Sequence, residues 1–150
     1  MTFFNVTVLI KHPDIETSEI SRELDLEPFR SWNVGDSRKS PKDTPLPGKW
    51  SYSSWSHIFR FKQDDTDRLV SKEVNKIVAK LHEKRKFLNN IVDTKGDVTL
   101  YVQLPGTFNI AGELDYQTLK MISELKVKFG FEVYPNWDHE NDEVNGGEAS

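Results

Sequence analysis

Apolar residues recur along this chain with two different periods, and together they point to a fold that mixes strands with amphipathic helices. Val98, Leu100, Val102 and Leu104 lie on one face at the two-residue period of a half-buried strand, and Pro105-Gly106 ends the run. Leu69, Val70, Val74, Ile77, Val78 and Leu81 instead fall within an arc of about 180° at the helical advance of about 100° per residue. Arg68, Lys72, Lys76 and Lys80 occupy the opposite side of that helix. Continuing the same phase would carry Lys84 and Arg85 into the apolar arc. The pattern therefore predicts a break near His82–Lys86 and a second short helix from Phe87 to Val92.

The remaining segments follow the same logic. Phe3 to Ile10 reads as a strand, broken by His12-Pro13-Asp14. Ile15 to Leu26 reads as a short helix with Ile20 and Leu24 on one stripe, ended by Pro28. Ser37 to Pro47 contains three prolines and Leu46 as its one aliphatic residue, the composition of a surface loop. Strands are expected near 48–54 and 57–62. Asp64-Asp65-Thr66-Asp67 is an N-cap cluster for the long helix. Phe108 and Ile110 form a short extended piece. A helix starting near Asp115 would bury Leu119, Ile122 and Leu125 with Met121 beside them, and Val127 to Tyr134 would be the last strand.

These elements predict one α+β domain over residues 1–135, with a mixed or mostly antiparallel sheet and helices packed on one face. Val6 to Ile10 followed by a helix echoes Val98 to Val102 followed by a helix. Duplicated strand–helix–strand halves in a ferredoxin-like arrangement would explain that echo. Residues 136–150 carry five acids and no Lys or Arg, so the net charge of −4 belongs to this tail, which is expected to be flexible. The body balances 20 basic against 19 acidic residues.

Several chemistries lack their residues. There is no cysteine, hence no disulfide, thiol nucleophile or Cys-ligated zinc. The four His have no HxH or HxxxH spacing, and the acidic tail lacks the glycine and alternate ligands of a calcium loop. Neither a GxSxG elbow nor a GxGxxG or Walker phosphate loop is present. Ser53, Ser54 and Ser56 surround His57, but adjacency in sequence is not triad geometry. No catalytic residue, metal or cofactor is assigned, and an enzyme is not the favoured reading. The N-terminal apolar run is too short to span a bilayer and lacks the basic leader of a signal peptide, so a cytoplasmic protein is expected.

What stands out is the stretch Phe29–Lys62. It holds three of the four Trp, and its Lys and Arg outnumber its acids seven to two. Trp32, Arg38, Lys39, Lys49 and Trp55 are the candidate contacts with a partner, while Trp50 and Tyr52 are expected in the core. The sharper form of this reading joins the loop to the lysine stripe of the long helix. Two alternatives are a ligand or enzyme pocket near the loop and His57, and stacking of single-stranded nucleic acid on the tryptophans. Nucleic acid is not the expected partner, because the body has almost no net positive charge with which to release counterions. A further alternative makes the acidic tail itself the functional element.

One family combines these segments. His12-Pro13-Asp14 leading into Ile20 to Pro28, then Trp32 with Gly35-Asp36, the strand from Gly48 to Ser54, and Phe131 to Tyr134 resemble the bacterial family termed domain of unknown function 4279, over roughly residues 3–135. Family members more often have Leu-Gly after the first helix, where this chain has Leu24-Asp25. The resemblance implies a small cytosolic α+β domain with no established activity, associated in some bacteria with toxin–immunity gene systems. It therefore implies a protein-binding role, with toxin neutralisation as its most specific form.

Overall fold

The computed structural model describes residues 2–63, 69–106 and 112–135. Its centre is β1 (Thr2–His12), in which Phe4, Val6, Val8 and Ile10 are fully buried on one face. β1 pairs antiparallel on one side with β5 (Ser53–Gln63) and on the other with β6 (Asp97–Pro105). β2 (Arg30–Trp32) adds to β5 antiparallel, and β7 (Lys128–Tyr134) adds to β6 in parallel, giving the order β2-β5-β1-β6-β7. β3 (Ser37–Lys39) and β4 (Pro45–Lys49) form a separate two-stranded hairpin.

Among the described residues four helices accompany these strands: α1 (Thr17–Leu24), α2 (Leu69–His82), α3 (Arg85–Asp93) and α4 (Tyr116–Glu124). Ile20 and Leu24 of α1, Val74, Val78 and Leu81 of α2, Leu88 and Ile91 of α3 and Ile122 of α4 join one core with the buried face of β1. Register places Trp55, Val98, Leu100 and Val102 on that same face. The fold is thus one α+β domain with helices covering one side of a mixed sheet. At about 0.8 kcal/mol per buried methylene, this core is the main source of stability.

The break after His82 falls where the apolar phase runs out, and α3 begins at Arg85. Gly96 follows α3 because a Cβ there would come within 2.6 Å of Ile91 and 2.8 Å of His12. His12 itself is structural. Its Nδ1 accepts from the Asp14 and Ile15 amides, and its Nε2 donates to Thr94 Oγ1 at 2.8 Å.

Several expectations differ from the structure. Ser37–Pro47 is not an open loop but most of an exposed hairpin, its turn closed by Ser40 Oγ accepting from the Lys42 and Thr44 amides. Segments 48–54 and 57–62 are not two strands; β5 runs unbroken through His57. In α4 the buried stripe is Thr118, Ile122 and Leu125, and Leu119 is 51% exposed. The two proposed halves also differ from each other. The excursion through β2 and the hairpin returns the chain antiparallel to β1, whereas the short α4 connection returns it parallel to β6. The Asp64–Asp67 cap, Arg68, Phe108, Ile110 and the acidic tail lie outside the described residues.

Candidate functional site

β2 is held at the sheet edge by pairing with β5, and register sets Trp32 beside Ser54 on the helix-free side. The turn that follows is tightly specified. The Asn33 amide donates to Asp36 Oδ2 at 2.8 Å, and Gly35 takes a φ of +89°, a region that favours glycine. Asn33 Oδ1 accepts from both the amide and hydroxyl of Thr17, supplying α1 with the cap that Glu16 does not provide. Two backbone bonds, Gly35 N–H to Trp50 O and Trp50 N–H to Asp36 O, then bring Trp50 back against this turn.

The result is a four-layer ladder. Trp32 and Trp50 stack with centroids 3.9 Å apart and planes 13° from parallel. Arg30 lies 4.8 Å from the Trp32 centroid and Arg38 lies 5.1 Å from that of Trp50. A 3.9 Å gap admits no side chain, so each guanidinium covers the outer face of its indole. Tyr52 sets its ring at 66° to Trp32 and 73° to Trp50, with Lys11 Nζ 5.6 Å from its own centroid. Such stacks contribute about 0.5–1.5 kcal/mol per aromatic pair and about 0.5–1 kcal/mol per exposed cation–π contact.

Hydrogen bonds lock the ladder to the hairpin and to the segment between the hairpin and β5. Trp32 Nε1 donates to Tyr52 O at 3.1 Å, Arg30 to Lys39 O at 2.9 Å and Arg38 to Pro47 O at 3.4 Å. Each guanidinium has five N–H donors, and one such bond leaves most of them for another acceptor. Arg38, Lys39, Lys42 and Lys49 are exposed around the stack, while Trp32 and Trp50 are half-buried. A cleft of about 430 Å³ opens between β2 and the hairpin, lined by Arg30, Lys39, Asp36, Asp43 and both indoles.

Trp32, Arg38, Lys39 and Lys49 are therefore brought together. Trp55 is not: it is fully buried, donates Nε1 to Ser21 Oγ at 3.0 Å, and belongs to the core beneath α1. Trp50 and Tyr52 reverse the other way, from expected core to surface cluster. Arg30 was not expected in the site, although its position two residues before Trp32 on one strand puts both on the same face. The lysine stripe does not join the hairpin. α2 packs against α4 and lines a groove beside β6 and β7, across the sheet from β2.

His57 is also apart from the ladder, since it faces the helix side. Its Nδ1 donates to Glu27 O and its ring meets Phe59 edge-on at 4.5 Å. Ser53 Oγ accepts from the Val34 amide, and Ser56 Oγ donates to Arg30 O, so these hydroxyls hold β2 in place. Among the described residues no group of three or more His, Asp or Glu is placed to hold a metal ion.

The sequence profile of the family described as Domain of unknown function (DUF4279) matches residues 2–136. The chain belongs to that family. No curated protein and no solved structure matches it. The match spans every strand and helix above, so the ladder is part of this DUF4279 domain and not an appendage to it. Asp25 has φ +52° and ends α1 in the left-handed conformation glycine favours. Among the described residues of this DUF4279 chain, no helix is long and apolar enough to cross a membrane.

Proposed function

We propose that this DUF4279 chain is a non-enzymatic, cytoplasmic binding module that captures an acidic protein surface with the Arg30–Trp32–Trp50–Arg38 ladder and its hairpin lysines. The observation that carries this reading is the ladder itself. Two guanidiniums are immobilised on indoles at a surface site, with Arg38, Lys39, Lys42 and Lys49 exposed beside them. Pre-ordered Arg and Trp side chains lose little entropy on binding and are the residue types that dominate interface energetics. Neutralisation of a toxin is the most specific form of the proposal, and a basic patch would steer rapid encounter with an acidic target.

Stacking of a nucleobase is a weaker reading, because both outer indole faces are already covered by arginine. A small anionic ligand in the 430 Å³ cleft is the second reading, supported by Arg30 and Lys39 converging there. It predicts a thermal shift with small carboxylates or phosphates that Lys39→Ala abolishes.

The test of the leading reading is affinity capture from the source cells with wild type and with Arg38→Glu/Lys49→Glu, followed by titration of the captured protein. Both sites are exposed, so the fold should survive. Affinity should fall by about 100-fold, and wild-type affinity should weaken steeply with salt. A partner bound equally by both proteins overturns the proposal.

A further inference from the structure

At the far edge of the sheet from the ladder, β7 offers a second surface of a different kind. Among the described residues β7 pairs only with β6, and no strand covers its outer edge. Four of the seven large apolar side chains exposed in the described structure lie on this strand and the adjacent helix: Phe131 at 68%, Val133 at 62%, Leu119 at 51% and Tyr116 at 77%. Leu119 and Phe131 border a largely apolar groove of about 590 Å³ whose floor includes Val74 and Val102. Apolar exposure concentrated along a free strand edge marks an interaction site or an aggregation hazard.

We infer that the occupant is a second copy of this chain, paired antiparallel through β7 about a two-fold axis at Phe131. The strand is complementary to itself in that register. Phe131 is the midpoint of Lys128–Tyr134, so all seven residues find partners. Phe131 meets Phe131 of the second copy and Phe129 meets Val133, while Glu132 faces Gly130 and Lys128 faces Tyr134. No like charges are opposed. A parallel in-register pairing would instead set Lys128 against Lys128 and Glu132 against Glu132, which is unfavourable.

Phe129, Phe131 and Val133 are register partners of Leu100, Val102 and Leu104, so they share the helix side of the sheet with the groove. The two-fold therefore continues one apolar face into the other. Strand pairing plus these side chains buries on the order of 500–800 Å² per copy, at the lower end of stable interfaces, so the dimer should be reversible at micromolar concentration. The inference does not depend on the ladder.

Sedimentation velocity over roughly 5–500 µM tests it, with a melting curve on each variant to verify the fold. Wild type should pass from monomer to dimer. Phe131→Glu and Phe131→Lys, at an exposed position, should each remain monomeric, self-associating at least about tenfold more weakly. Mixed in equal amounts, the two variants should form a heterodimer, because residue 131 meets itself across the axis. A wild type monomeric throughout, or a dimer that survives Phe131→Glu, overturns the inference. Failure of the mixed variants to pair overturns the antiparallel register.

Discussion

At the scale of single residues, the three described tryptophans illustrate what a local pattern leaves open. Trp50 and Trp55 both follow a serine-rich aromatic strand pattern, yet one stacks at the surface and the other is sealed under α1. The difference is that Trp55 lies within β5, opposite Ile10, while Trp50 precedes the strand and answers to Trp32, far away in sequence. Trp55→Ala should cost about 3–5 kcal/mol of stability, the range for emptying a large core site. Trp50→Ala should cost only about 1–2 kcal/mol, the worth of one stack and one cation–π contact. Urea unfolding of both variants checks the ordering. Asp25 gives the opposite sign. Replacing it by glycine removes the strain of a non-glycine residue at φ +52° and should raise stability by roughly 0.5–1 kcal/mol in the same assay.

At the scale of elements, periodicity located both core helices of the middle segment and the strand β6, because buried faces impose a repeat on the sequence. The hairpin was not legible, since every residue of β3 and β4 is exposed and no repeat is imposed. Leu119 misled for a related reason: it continues an apolar stripe but opens onto the groove beside β7.

Helix α4 also carries a pH signature. The Asp115 carboxylate accepts from the Thr118 amide, which holds its pKa below the ordinary 3.8. Glu124 is held below 4.5, first by its hydrogen bond to His82 and then by Lys120 and Arg85. A depressed folded-state pKa means the unfolded chain binds the proton more readily. The stability these carboxylates add is therefore complete above 3.8 and 4.5 and is lost as pH falls through the lower folded values. Asp115→Asn keeps a capping side chain but removes the titration. Its stability profile should be flatter than wild type between about pH 5 and 3, measured by urea unfolding across that range.

At the scale of the whole molecule, the sheet order separates two surfaces of opposite character. The charged ladder sits at the β2 edge and the apolar groove at the β7 edge, with three strands between them. A dimer through β7 would leave both ladders free and display them bivalently, so a multivalent target would bind more tightly than one ladder allows. The α+β class followed from the two apolar periods, and the single domain from a length of 150 residues. The topology did not, because nothing local states that the excursion through β2 and the hairpin returns the chain antiparallel to β1.

The most direct test of the binding account is an NMR titration that follows the indole N–H signals of the tryptophans as the captured partner is added. Trp32 and Trp50 should shift or broaden together, while buried Trp55 stays fixed and serves as the internal control. Shifts confined to residues of the β7 groove, with the Trp32 and Trp50 signals unmoved, would contradict the ladder as the binding site.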